Sequence, residues 1–278
     1  GGRPGRPHQA EVPPRDMYVY PPHRKGRQLL GGSIKEQAPQ GRDWAEEEWS
    51  NASLGDARLV QRLIELGRDR YARPQANIPQ TCGSRAKTKA AYRFLDHERA
   101  TLQNLITPHI EATTRRVAKE NVVLAIQDTT SLNYSTHPAT ENLGPIMSSQ
   151  NGVLGLMLHG TLAVNTEGTP LGLLAAQCWA RDPAEFGKKA KRHSLPIEQK
   201  ESFRWLENMR QSMALLGAPG RCIHVGDRES DIYELFCAAQ ELGTQLIVRS
   251  CVARRDGDDR HTITEEPARL RGTGPHEW

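Results

Sequence analysis

Apolar residues recur at helical spacing in the first half of the chain and in short unbroken runs in the second, with the change at Asn121. Leu59, Leu63 and Leu66 follow one helical period, and Leu105, Ile106 and Ile110 follow another. Polar punctuation sets the helix starts. Asp43, with Glu46 three residues on, forms a capping-box-like start leading into Trp44 and Trp49. Leu54–Gly55–Asp56 breaks that short helix, and Asp56 can cap the next. Pro74 and Pro79 bracket an expected loop. A third helix is expected over Ser84–Asp96 and a fourth over about Leu102–Val117. Residues 43–118 therefore predict a small all-helical domain.

Beyond Asn121 the runs shorten to strand length. Val122–Val123–Leu124–Ala125–Ile126 is the first strand expected, and Leu156–Val164 and Leu171–Trp179 form a hairpin around Asn165–Thr166–Glu167–Gly168. A charged, mobile stretch is expected over Arg181–Ser194. A helix over Glu198–Leu216, a strand over Cys222–Val225, a helix over Ser230–Leu242 and a strand over Gln245–Val248 follow. The order β-β-β-α-β-α-β is α+β, and it matches the ribonuclease-H-like mixed sheet up to its fifth strand. In that fold the fourth strand lies parallel beside the first, so Asp128 and Asp227, just past their C-terminal ends, would meet. Residues 119–250 are the expected core, with 251–278 a polar, irregular tail. Residues 1–42 are rich in Pro, Gly and Arg without a hydrophobic period, and are expected to be disordered. The first methionine, Met17, lies inside that stretch, so part of it is expected either to be an artificial addition or to lie upstream of the natural start.

Composition narrows the class without deciding it. Lys and Arg number 37 against 33 Asp and Glu, a net charge of +4 that matters only if it clusters on one face. No apolar run approaches the ~20 residues that span a bilayer, so a soluble cytoplasmic protein without a membrane partner is expected. The five cysteines are widely spaced, which favours reduced thiols over disulfides or zinc.

Two aspartates at adjacent strand ends suit Mg²⁺ or Mn²⁺, because both are hard cations that prefer carboxylate oxygen. Two such metals can activate a nucleophile and stabilise a leaving oxygen in in-line phosphoryl displacement. Ile126–Gln127–Asp128–Thr129–Thr130–Ser131–Leu132 and Val225–Gly226–Asp227–Arg228–Glu229–Ser230–Asp231–Ile232–Tyr233 resemble the first and second catalytic blocks of DDE transposases. The resemblance is closer to the insertion-sequence-four group, which is transposon-five-like. Trp44, Leu54–Gly55–Asp56–Arg58 and Ala90–Ala91–Tyr92–Arg93–Phe94 resemble that group's N-terminal DNA-binding module, and Lys200–Glu201–Ser202 with Trp205 resembles the segment before strand four.

The resemblance implies cut-and-paste cleavage and strand transfer at transposon ends. It makes Asp128 and Asp227 catalytic and metal-binding, double-stranded DNA the partner, and a homodimer on DNA possible. It also implies a third carboxylate, from a helix after a β-rich insertion. Only Cys251–Trp278 follows strand five, and Glu265 and Glu266 there read as solvated tail residues. The chain is therefore expected to be C-terminally truncated and catalytically incomplete.

On the Ser84–Asp96 helix, Arg85, Lys89 and Arg93 fall on one stripe, opposite a core face of Ala91, Phe94 and Leu95. That stripe is expected to contact phosphates, with Arg58 and Lys87 as further contacts. Thr129, Thr130 and Arg228 flank the carboxylates and could hydrogen-bond or neutralise a phosphate. Asp231 is expected to cap or support the following helix. His137, His159, His193 and His224 show no ligand spacing. Two other functions compete. One is a DNA-binding remnant or inhibitor of transposition without catalysis. The other is a haloacid-dehalogenase-like phosphatase, which Gly226–Asp227 with Asp231 fits, but Thr130 stands where its second acid belongs.

Overall fold

The structure is a computed structural model that describes residues 43–146, 152–185 and 195–251. The expectations for 1–42, for the tail with Glu265 and Glu266, and for most of the charged stretch before Ser194 lie outside the described residues. The described chain is α+β, with helices first and a mixed sheet after them.

The helices are α1 (Trp44–Trp49), α2 (Ala57–Ala72), α3 (Ile78–Cys82), α4 (Arg85–Leu95) and α5 (Leu102–Val117). Their starts follow local chemistry. Asp43, Asp56, Ser84 and Thr101 each accept a backbone N–H of the first turn through a side-chain oxygen. The Asp43 box is only half built, because Glu46 turns to Arg68 at 2.8 Å. The loop expected around Pro79 is instead the short helix α3. Asn77 and Gln80 close a reciprocal capping box there, and Pro79 sits in the first turn, where its missing N–H costs nothing.

The sheet contains β1 (Val123–Asn133), β2 (Gly144–Pro145), β3 (Leu154–Asn165), β4 (Pro170–Trp179), β5 (Cys222–Gly226) and β6 (Gln245–Val248). β1, β3 and β4 form an antiparallel meander, whereas β5 joins β1, and β6 joins β5, in parallel. The antiparallel half departs from the doubly wound sheet that the phosphatase reading needs. β1 runs seven residues past the strand expected, because β3 continues to pair with it as far as Gly155. Asp128 is therefore inside a strand and only beyond the part that β5 covers. The helix expected over Glu198–Leu216 is a 3-10 turn at Ile197–Gln199 followed by α6 (Phe203–Leu216). The last expected helix likewise divides into a 3-10 turn at Arg228–Ser230 and α7 (Tyr233–Leu242).

α6 and α7 pack on the sheet through Trp205, Leu206, Met209, Leu235 and Ala238, over Val123, Ala125 and Cys222. Ala52, Leu54, Leu63 and Phe94 form a separate helical core. α5 belongs to both halves. Its Leu102, Ile106 and Ile110 pack on Leu156 and Cys178, while the Trp49 indole N–H reaches the Leu105 carbonyl.

The junction is polar as well as apolar. Glu48 of α1 takes His109 Nδ1 at 2.6 Å and Arg116 at 2.5 Å, both on α5. His109 Nε2 then accepts the Leu173 N–H, and Arg116 donates to the Leu171 carbonyl. These backbone groups belong to an irregular stretch of the β3–β4 ladder, centred on Gly172. Gly172 has φ +133°, and a Cβ there would stand 2.1 Å from Thr113 Oγ1. Glycine thus permits both the bulge and the close seat of α5. Among the described residues no helix is long and apolar enough to cross a membrane.

Candidate nucleic-acid interface and carboxylate pair

α4 is held by few of its residues. Only Ala91 and Phe94 are buried, and Phe94 anchors the helix in the core with Leu54 and Leu63. The Ser84 hydroxyl accepts the Lys87 N–H and sets the first turn. The rest of the helix faces out. Arg85, Lys89 and Arg93 are all exposed, four residues apart, and none forms an ion pair among the described residues. Such a row of free cations costs self-repulsion, which a polyanion would relieve.

The other two expected contacts are placed differently. Lys87 is tied to Asp69 of α2 at 3.1 Å, so its charge is already answered. Arg58 folds back on Asp56, its own N-cap, at 3.1 Å, although its side chain is 92% exposed. Asp69 meets Lys87 only because α2 packs beside α4, which sequence spacing alone does not reveal, whereas Asp56 lies two residues from Arg58.

Beside the stripe, the end of α4 and the start of α2 frame an open groove of about 660 Å³. Arg58, Arg62, Arg93 and Arg99 line it, against Asp56 and Glu98. Gly55 also lines it, with φ +71°, and a Cβ there would meet the Arg99 guanidinium at 1.3 Å. Arg99 in turn donates to the Leu54 carbonyl. The Leu54–Gly55–Asp56 break is thus a left-handed turn that seats an arginine across the groove.

Residues 41–100 match the transposase DNA-binding family. The transposase DNA-binding match takes in α1 to α4, including the cationic stripe and the groove, and ends before α5. It supports a transposase or DNA-binding role, and DNA fits such a domain as partner.

The carboxylates lie in the sheet. The parallel register of β1 and β5 ends at Ile126 and Val225. Asp128 and Asp227 each follow two residues later. The Asp227 carboxylate accepts the Glu229 N–H and caps the 3-10 turn that ends β5. Asp128 is exposed to solvent, yet partial desolvation within the strand, with the Asp227 charge adding to it, holds its carboxyl above its usual range. Glu229, also exposed, is likewise raised, by partial desolvation and then by Asp227, Asp128 and Glu201. The site is therefore electronegative. Among the described residues neither aspartate has a Lys or Arg ion-pair partner, and no group of three His, Cys, Asp or Glu side chains is placed to hold a metal.

The flanking residues separate. Thr130 and Arg228 are exposed, Thr130 on the Asp128 side of the pleat. Thr129 points to the opposite side, where its hydroxyl meets His159 Nδ1 at 2.8 Å, so it is turned away from any phosphate at Asp128. Asp231 does not cap α7, which has no side-chain cap; its carboxylate accepts the Cys251 N–H beyond β6. His159 was invisible as a site residue in the sequence. Its only signal is that it alternates with Thr161 on the buried side of β3.

Proposed function

We propose that the chain is a DNA transposase, with a helical module that grips duplex DNA and a ribonuclease-H-like sheet that performs phosphoryl transfer. The observation that carries this reading is the transposase DNA-binding match over a helical module in which α4 shows three exposed cations on one stripe, none ion-paired among the described residues. A helix of this width fits a DNA groove, and Arg and Lys on its surface neutralise phosphates whatever the base sequence. Arg58 could still turn from Asp56 to a phosphate, since it is nearly fully exposed.

The order of the sheet supports the second half. β5 lies beside β1 in parallel, and Asp128 and Asp227 each follow two residues after their last parallel pair. Their donor chemistry fits Mg²⁺ or Mn²⁺: both are carboxylates, they are mutually repelling, and no cation of the protein pairs with them among the described residues. Asp128 and Asp227 would hold the metal, which supplies charge neutralisation and an activated nucleophile for attack at phosphorus. Arg228 would neutralise a neighbouring phosphate and Thr130 would hydrogen-bond it.

A second reading, DNA binding without catalysis, is favoured by one observation: no third metal-binding side chain joins the two aspartates among the described residues. A nicking assay on DNA carrying transposon ends, with Mg²⁺ or Mn²⁺, separates the two. Cleavage that disappears in Asp128→Ala supports the transferase. Retarded migration of the DNA without cleavage supports the binding module. Failure to bind duplex DNA at all would contradict both.

A further inference from the structure

A single imidazole holds the residues on either side of Asp128. His159 lies opposite Thr129 in the β1–β3 register and is 1% exposed. Its Nδ1 stands 2.8 Å from Thr129 Oγ1, and its Nε2 stands 3.2 Å from Gln127 Oε1. Gln127 is itself 3% exposed. The amide oxygen can only accept, so Nε2 carries the ring proton, and Nδ1 accepts the Thr129 hydroxyl. The Trp205 ring lies 4.6 Å from the imidazole, centroid to centroid, and closes the pocket from α6. Gln127 and Thr129 point to the α6 side of the sheet, whereas Asp128 between them points to the other.

We infer that His159 is a positioning residue, which clamps Gln127 and Thr129 and so fixes the Asp128 carboxylate for a divalent cation shared with Asp227. This rests on the metal site proposed above. The mechanism is geometric. β5 no longer supports β1 past Ile126, so β3 alone pairs with the strand at Asp128. A strand held on one side can twist. Two side-chain bonds to one rigid ring remove that freedom, and a carboxylate already fixed in direction loses less entropy on binding a metal. The Thr129 hydroxyl is thereby assigned to the support of the site and not to substrate.

The test is Mn²⁺ affinity, read from the electron paramagnetic resonance signal of free Mn²⁺ with the full 278-residue chain, beside thermal unfolding of each variant. Asp128→Ala should abolish binding. Thr129→Val and His159→Phe should each weaken it about 10-fold, as loss of an outer-shell partner does. Thr129→Ser, which keeps the hydroxyl, should bind like the wild type. The Thr129→Val/His159→Phe double variant should be no weaker than the worse single variant, because both break the same clamp. Wild-type affinity in folded Thr129→Val and His159→Phe, with binding still lost in Asp128→Ala, would overturn the clamp and spare the metal site. Multiplying losses in the double variant would also overturn it. Unchanged affinity in Asp128→Ala would remove the metal site and the clamp together. If His159→Phe does not fold, the contrast between Thr129→Val and Thr129→Ser decides alone.

Discussion

Asp128 and Asp227 occupy equivalent places, each two residues beyond the last parallel pair, Ile126 and Val225. Equivalence along two adjacent strands brings like charges together. The Asp128 carboxyl, although exposed, is raised by partial desolvation and then by Asp227. Carbon-detected NMR titration should therefore show the Asp128 carboxyl falling toward its ordinary range in Asp227→Asn. The folded state holds this proton more tightly than the unfolded chain, so stability is lost as pH rises through the carboxylate range. Asp128→Asn should be at least as stable as the wild type at neutral pH. A destabilised Asp128→Asn would show that the charge is satisfied within the fold.

Glu48 ties the helical module to the sheet through His109 and Arg116. Glu48→Ala would leave both donors of a partly buried junction without their acceptor. We expect a loss of about 2 kcal/mol, near the lower end for breaking such a cluster because Arg116 keeps its bond to Leu171. Chemical denaturation measures it. His109→Ala should, in addition, speed hydrogen exchange at the Leu173 amide, whose acceptor is the imidazole.

His224 is fully buried, its Nδ1 has no hydrogen-bond partner among the described residues, and burial lowers its pKa to about 4. The unfolded chain therefore takes up a proton near pH 6.5 that the folded chain refuses until about pH 4. The stability from this group is complete above pH 6.5 and declines as pH falls toward 4. His224→Leu removes both the orphaned nitrogen and the titration. It should equal or exceed the wild type at pH 7 by up to about 1 kcal/mol, and its stability should fall less steeply on acidification. An unchanged acid profile would place the sensitivity elsewhere, His159 being the other imidazole lowered to about 4.

Gly55 combines a left-handed backbone with the seat of Arg99. Gly55→Ala should cost about 1–2 kcal/mol through backbone strain, read as a lower melting temperature. It should also weaken DNA binding, because the added Cβ displaces the Arg99 guanidinium from the groove wall. Wild-type stability would mean that the turn adopts another conformation without cost.

What could be read from the chain was local or serial. Asp43, Asp56 and Ser84 announced their helices because a cap acts within three residues. The order of strands and helices, matched to the ribonuclease-H-like sheet, led to the expectation that β5 lies beside β1, as it does. α3 escaped because a five-residue helix has too little period to see, and Pro79 argues for a loop unless it falls in the first turn. The over-run of β1 was hidden because Gln127–Asn133 is polar, and it stays a strand through its pairing with β3. Contacts between distant segments were beyond sequence spacing altogether. The pairing of Lys87 with Asp69 and the hydrogen bond between Thr129 and His159 both cross between elements. α5 was assigned to the helical domain on its period, yet period does not say which neighbour covers the apolar stripe; here much of it is the sheet.

The most direct test of the account is the salt dependence of duplex DNA binding. Wild-type chain and the triple variant Arg85→Ala/Lys89→Ala/Arg93→Ala would be titrated against the same duplex across a salt series, with circular dichroism confirming that the helices remain. Each lost phosphate contact lowers the log–log slope by about 0.9, so three contacts lower it by roughly 2.7 and weaken binding throughout the series. A slope that stays at the wild-type value in the folded variant would contradict the account, and would make the stripe on α4 an ordinary solvated face.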